Sequence, residues 1–559
     1  MAKRKSSEKH VEINLTEIWN ILKKNYPYFL LLLFVLLGYS LRIYHLDYPV
    51  IGYHNWKETH YLTEARNFAR DGFFKHGFFI PEWDYPKLNQ DQSGAHPDTF
   101  PLTSIMVSIF FTIFGYKLAI ARLISVLFSV ALIVVMYLVI KELYDREDLA
   151  LVVAFLTAIN PLFVFFGRQV QLINYAVFFM MLSLLFYLKW RKSFKSLHIN
   201  LFVLFFIIGL ITKYDHFIVL FPIVATFPYK KFFKDLKKNF VNYVPSFIFG
   251  SLGPVWILYA KLYDPTFKVG DLETSLKIIF NAEWFAILKN YIADNYSIIG
   301  FWFAIIGFLV ILLLLKKGFG NVFIALFVAG GIIWTYILAP YLKGHSYHQY
   351  PIAPLIIILM GFAIITIANT VKSIIPDKKL SLTVKWLVII GLAFLIYNPS
   401  MEAKDRQFNT QFYGLDIAGE YINQNSAPNE RIFHSGHQSY GIVWSADRKG
   451  IPFPWNVTVI KELEDKYNYN WIFVYQWGIR QYINTPQYKD AWEYLKHNYE
   501  LKQLAFVRTS QGDVPFYFLF KRGGSFNESN INSLVQNKAV IKKTYELTTG
   551  NFDLYYINI

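Results

Sequence analysis

The chain is a succession of apolar runs divided by short polar segments. Eleven runs approach the length of a bilayer crossing: 27–44, 119–141, 148–166, 175–190, 199–213, 216–229, 242–262, 298–315, 321–341, 351–370 and 384–398. A helix of about 20 apolar residues crosses roughly 30 Å of hydrocarbon. In that solvent a segment must satisfy its own backbone hydrogen bonds, so the runs are helices. The fold class expected is mainly α, a polytopic transmembrane helical bundle of about 11–13 spans. The run 102–114 is too short to cross and reads as an interfacial or re-entrant helix. Met1 to Asn25 is polar and basic, and no small-residue cleavage site follows the first run, which therefore reads as a retained span.

The formal net charge of +16 would suit a nucleic-acid binder, but the distribution argues against one. Lys and Arg concentrate in short connections: Lys141–Glu147, Trp190–Lys195, Lys230–Lys238, Lys316–Gly318 and Lys372–Lys385. Basic loops face the cytoplasm. The N-terminal segment 1–26 is then cytoplasmic, and the chain is a multi-pass protein of the inner (plasma) membrane. The outer regions are 45–101, 167–174, 213–215, 263–297 and 342–350. With an odd number of spans, residues 401–559 also lie outside. In that last segment short apolar runs (Trp471–Tyr475, Pro515–Phe520) alternate with a helix-like stretch (Asp490–Tyr499) and polar turns, the pattern of a small α/β domain. The organisation expected is a cytoplasmic segment 1–26, a membrane domain 27–400 and an extracytoplasmic domain 401–559. Without cysteine, the chain has no disulfide, no thiolate nucleophile and no Cys-ligated metal.

Candidate chemistry gathers on the outer side. In the long first loop, Glu58, Tyr61, Ala65 and Phe68 share one face of a predicted helix, flanked by His54 and His60. That helix reads either as an interfacial anchor with solvated charges or as a carboxylate and imidazoles held at the mouth of the bundle. Glu82, Asp84, Asp91, His96 and Asp98 could hold a divalent cation through oxygen and nitrogen, although their spacing matches no compact metal motif. Arg168, Gln171 and Asn174 sit at an outer span end. Arg168 can snorkel there or pair with a phosphate. Lys213, Tyr214, Asp215 and His216 pose the same choice, and His345, Tyr347 and His348 precede another span. Five such clusters on one face point to one site.

The sequence resembles the dolichyl- or undecaprenyl-phosphate-dependent glycosyltransferases of the GT-C type, which include the protein O-mannosyltransferases and the aminoarabinose transferase of lipid A modification. The resemblance rests on W-x-E-T-x-Y-x-x-x-A-R-N-F (Trp56–Phe68), on F-P-L and I-F-G-Y-K-L-A-I-A-R-L-I-S-V-L-F-S within Phe100–Ser129, on G-R-Q-V-Q (Gly167–Gln171) and on H-x-Y-H-Q-Y-P-I-A-P (from His345), in that order. It runs from about residue 27 to residue 370, and more weakly through the C-terminal domain. It implies a polyprenyl-phosphate-linked sugar as donor, with inversion at the sugar. A first-loop acidic residue would act as base, and basic groups, in some members with a divalent cation, would hold the departing phosphate. The sequence departs from the family pattern where relatives carry Asp-Glu, here Lys57-Glu58. A later Asp position reads His60, the Glu before Phe-Pro reads Thr99 beside Asp98, and Pro-Asp reads Ile173-Asn174.

The function expected is an integral membrane glycosyltransferase acting at the extracytoplasmic face on a lipid, protein or glycan acceptor of the cell envelope. Its partners are the lipid-linked sugar and membrane lipids, with no nucleic acid. Glu58 is the candidate base, assisted by Asp84 or Asp98. The candidate substrate contacts are His54, His60, Tyr61, Arg168, Gln171, Asn174, Lys213, Tyr214, His345, Tyr347 and His348. Two other readings stay open. A transporter or flippase would need ionisable groups in mid-span. A catalytically inactive, glycan-binding scaffold would tolerate Glu58→Gln.

Overall fold

The computed structural model describes residues 15–75, 78, 99–263, 277–482 and 485–559. Its first half is helical: α1 Leu15–Arg42, α2 Asn55–Asp71, α3 Leu102–Phe114, α4 Leu118–Tyr144, α5 Glu147–Ile159, α6 Pro161–Arg168, α7 Leu172–Ser193 and α8 Ser196–Thr212. Further long apolar helices follow at Val244–Tyr263, Ile298–Leu313, Phe319–Ile337, Ala353–Ile374 and Lys378–Asn409. Among the described residues, seven helices are long and apolar enough to cross a membrane, or nine when two bent pairs each count as one span.

The difference from eleven arises mainly between residues 196 and 229. The expected span 199–213 is a 17-residue helix, α8, and the expected span 216–229 is reduced to the 7-residue helix Leu220–Thr226. A polar turn interrupts this region: Lys213 Nζ donates to Asp215 at 2.6 Å and Asp215 meets His216 at 2.7 Å. Pro222 and Pro228, which lack an amide donor, also limit helix extension there. The bends have local causes as well. The Asn160 side chain caps α6 by accepting from the Phe163 amide at 3.1 Å, Pro161 occupies the first turn, and α5 and α6 meet at 52°. Helices Ala282–Tyr296 and Ile298–Leu313 meet at 95° around Ser297.

The centre of the bundle is α4, α7 and the helix Ala353–Ile374, which are mostly buried, whereas α1 is mostly exposed. The outer helices accordingly keep exposed Leu, Phe and Ile, as lipid contact requires. Arg42 is fully buried and donates to Ser129 Oγ, Gly38 O and Ala158 O at 2.8 Å and to Thr157 O at 3.2 Å, which ties α1 to α4 and α5. A buried guanidinium is tolerable there because so many of its donors are used.

The C-terminal part is a seven-stranded mixed sheet: β1 Arg431–His434, β2 Gly450–Pro452, β3 Tyr469–Tyr475, β4 Tyr499–Thr509, β5 Gly512–Arg522, β6 Ile541–Leu547 and β7 Gly550–Asn558. The strand order is β2-β1-β3-β5-β4-β7-β6, with β2, β1 and β3 parallel and the other pairings antiparallel. Alternation along the strands divides the side chains between two layers. Phe433, Ile472 and Val474 pack with helices Val457–Tyr467 and Pro486–Asn498. Ile432, Trp471, Phe473 and Tyr475 form the second core with helices Leu415–Asn425 and Gly441–Ala446.

Ile51 of the first loop belongs to that second core, with Tyr48 and Trp56 packed against it. The loop and the sheet domain are joined by Phe412 N–H to Ile51 O (2.7 Å), Asn55 Nδ2 to Gln438 O (2.7 Å) and the Arg66–Asp447 ion pair (3.0 Å). Gly441 is required at this junction, because a Cβ there would lie 1.9 Å from Val50 O. The boundary expected at residue 400 falls inside a continuous helix, Lys378–Asn409.

Candidate active site

The site is built on α2. Its N-cap, His54, adopts a left-handed conformation (φ 58°, ψ 31°), which turns the loop into the helix. Both sides of α2 are covered, by α3 and the bundle and by the sheet domain, so eleven of its residues are buried, including Glu58, His60, Glu64 and Arg66. An interfacial helix with solvated charges is therefore not what forms. Burial on this scale requires partners for each charge.

Glu58 has a complete set of partners. Arg122, at the start of α4, donates Nε and Nη2 to the two carboxylate oxygens at 2.9 and 2.8 Å, and the Val170 amide donates to Oε1 at 3.1 Å. Burial alone would raise the carboxyl pKa, but the charge and hydrogen bonds of Arg122 and the Val170 amide outweigh it and hold the pKa below normal. Arg122 Nη1 also donates to the carbonyls of His45, Leu46 and Tyr48. The pair thus pins the start of the first loop and the 169–171 segment to α4. The carboxylate expected to act as base is already committed to these contacts. His60 and Glu64 pair at 2.6 Å, and Ser104 Oγ donates to Glu64 at 2.8 Å, facing α3. Tyr61 lies in the same core, its ring 4.7 Å from that of His60.

Arg168, Gln171 and Asn174 are likewise engaged by protein. Arg168 Nη1 donates to the carbonyls of Tyr44 (2.6 Å) and His45 (3.1 Å), and its guanidinium lies 4.4 Å from the Phe408 ring. Gln171 donates to Gln169 Oε1 at 2.6 Å. Asn174 donates to Phe166 O and Gln169 O and accepts from Tyr350 Oη at 2.6 Å.

A second group is arranged differently. The His54 ring lies 5.1 Å from those of both His345 and Tyr347, His345 lies 5.9 Å from His348, and Tyr347 lies 4.6 Å from His348. From the sheet domain, His437 stacks parallel to His345 at 6.1 Å and covers Trp56 at 4.4 Å. Lys57 lies over the Trp56 ring at 4.3 Å. Asp215, bonded to Lys213 and His216, stands 3.8 Å from His348 Nδ1. The indole N–H of Trp334 donates to Asp215 O at 2.8 Å and fixes that turn. Tyr214, between these residues, is half-buried and packs against the bundle core.

Burial and the neighbouring imidazoles, with Lys57, push His345 down to about 3 and His54 well below normal, and burial with Lys57 lowers His437. These rings are neutral at pH 7. Burial opposes ionisation of Asp215, but Lys213 and the adjacent imidazoles hold its pKa well below normal. The group therefore presents two lysines, one carboxylate and neutral imidazoles on an aromatic floor. Both ring nitrogens of His54 are buried without a hydrogen-bond partner. Such a surface favours an anion carrying several acceptor oxygens.

Among the described residues, no group of three or more acidic or histidine side chains could hold a metal ion. His345 stacks parallel to His437, whereas His54 meets His345 edge-on. Asp84 and Asp98, with Glu82, Asp91 and His96, lie outside the described residues.

Over residues 95–258 the sequence matches the family model described as dolichyl-phosphate-mannose-protein mannosyltransferase. The structure is similar to the crystal structure of ArnT from Cupriavidus metallidurans in the apo state. The TM-score is 0.53 at 11% identity, over 90% of this chain and 98% of that one. It is also similar to ArnT bound to undecaprenyl phosphate, with a TM-score of 0.52 at 11% identity, over 87% of this chain and 97% of that one. No curated protein sequence matches the chain significantly. The fold is thus the ArnT-like GT-C fold, a multi-pass membrane bundle with a C-terminal strand-containing domain. Part of the sequence and nearly all of the fold are thus similar to membrane-embedded GT-C glycosyltransferases.

Sequence reasoning did not single out Arg122 or His437. Arg122 could have been found as a charge opening an otherwise apolar run, which demands a buried partner. His437 lies more than 80 residues from any other ring of the cluster, and no local signal marks it.

Proposed function

We propose that the chain transfers a sugar from a polyprenyl-phosphate donor to an acceptor held between the membrane domain and the sheet domain. The carrying observation is the anion-favouring group of Lys57, Lys213 and neutral imidazoles beneath His437, on a GT-C fold. Lys213 and Lys57 receive the phosphate, whose negative charge grows as the sugar leaves. His54, with both nitrogens unpartnered, donates one hydrogen bond to a phosphate oxygen. His348, next to Asp215, takes the acceptor proton. Its neutral ring can accept a proton, and the carboxylate stabilises the imidazolium that forms. Glu58 and Arg168 are positioning residues that hold the loop carrying His54 and Lys57. The outer face of the plasma membrane is the place of action, following the basic-loop pattern.

The test supplies purified protein with a radiolabelled polyprenyl-phosphate sugar and candidate lipid, protein and glycan acceptors. Transfer by wild type and its loss in both Lys213→Gln and His348→Phe are expected. Full transfer by His348→Phe would remove that residue as the base, and full transfer by Lys213→Gln would remove the phosphate assignment.

A further inference from the structure

The helix Tyr229–Lys238 (YKKFFKDLKK) joins two parts of the bundle, yet none of its residues is buried. At 100° per residue, Lys230, Lys231, Lys234, Lys237 and Lys238 fall within an arc of about 120°. Phe232 and Leu236, on the other side, pack against the membrane core, the Phe232 ring lying 5.9 Å from Trp190 and 5.1 Å from Phe227. The one acidic residue, Asp235, is drawn away from the lysines by Tyr243 Oη and by Asn239 Nδ2 at 2.9 Å. Lys231 lies over the Phe194 ring at 3.5 Å. Lys230, Lys234, Lys237 and Lys238 have no carboxylate within ion-pair distance among the described residues.

Apolar side chains border this basic arc without cover. Tyr229 is 47% exposed, Phe233 53%, and the following Phe240 and Val241 are 56% and 79% exposed. The chain then enters the apolar helix Val244–Tyr263 directly. Lysines on one side, uncovered aromatics beside them and a membrane-spanning segment at the end describe a helix lying in the plane of a bilayer surface. A soluble polyanion such as nucleic acid would account for the lysines but not for the bordering aromatics or the continuity with a span.

We infer that the helix Tyr229–Lys238 is a binding surface for anionic phospholipid headgroups, its lysines meeting the phosphates and Phe233, Phe240 and Val241 entering the acyl boundary. The site is separate from the proposed transfer site, and its test does not need transferase activity. Full-length protein is reconstituted in nanodiscs of equal phosphatidylglycerol and phosphatidylcholine, re-extracted in mild detergent, and its retained lipids are measured by mass spectrometry. Wild type is expected to retain phosphatidylglycerol preferentially. Each lysine near an anionic surface contributes about fivefold, which falls with salt. K230Q/K234Q/K237Q/K238Q abolishes the preference, and the four corresponding Lys→Arg changes keep it. The inference is overturned if wild type shows no preference, if the Gln variant retains it, or if wild type binds an oligonucleotide or acidic polypeptide more tightly than phosphatidylglycerol vesicles.

Discussion

Glu58→Gln separates a chemical from a positional role for this carboxylate. The substitution keeps the shape and can still accept from the Val170 amide, but it leaves Arg122 with a buried positive charge and no counter-ion; both side chains are 3% exposed. Breaking a buried ion pair from one side costs about 3–5 kcal/mol. The carbonyls of His45, Leu46 and Tyr48 still accept from Arg122, which argues for the lower end, about 3 kcal/mol. A local loss of that size raises the opening equilibrium about 150-fold. Hydrogen exchange should therefore accelerate by about two orders of magnitude in residues 45–58, with little change in the sheet distant from the loop. Pairing the substitution with Arg122→Met removes the unmatched charge and should recover part of the protection. The positional reading fails if Glu58→Gln leaves exchange unchanged while transfer is abolished, since that result would give the carboxylate a part in the chemistry.

Lys213→Gln should lower the efficiency of transfer about 10- to 100-fold, the loss of one charge-assisted phosphate contact, with Lys213→Arg retaining more; steady-state kinetics against donor concentration reads the effect. Gly441→Ala places a Cβ 1.9 Å from Val50 O and should loosen the sheet domain from the first loop at a cost of about 1–3 kcal/mol, seen as faster proteolysis near residues 45–54. His434 is buried in β1, its Nε2 without a partner, and burial pushes its pKa down to about 3. The folded chain refuses a proton that the unfolded chain accepts near its ordinary value of about 6.5. Its stabilising effect is thus full above pH ~6.5 and declines as pH falls from there towards 3, by about 1 kcal/mol at pH ~5.5. His434→Phe should flatten the fall in thermal stability between pH 7.5 and 5.5, and an unchanged slope would refute the assignment.

The apolar runs were sufficient to define a helical membrane bundle, because in hydrocarbon each segment must bond its own backbone and the pattern is local. The alternating C-terminal pattern placed β3 and β5 and the helix Pro486–Asn498 near their observed positions for the same reason. The motif around Trp56–Phe68 and the segments at 168–174, 213–216 and 345–348 were likewise legible, since polar residues beside apolar runs stand out. Their division of labour was not. Glu58 reads as the candidate base and Arg168 as a phosphate contact in sequence; in the fold Arg122 and the Val170 amide donate to Glu58, and Arg168 donates to the carbonyls of Tyr44 and His45. His437 reaches Trp56 and His345 only because β1 runs parallel to β3 and delivers its following loop onto α2. Ionic and hydrogen-bond pairing depends on distances between elements far apart in the chain. The sequence by itself determined the bundle and its C-terminal domain; the tertiary packing decided which charged side chains pair with one another and which rings gather beside them, because those contacts join elements far apart in the chain.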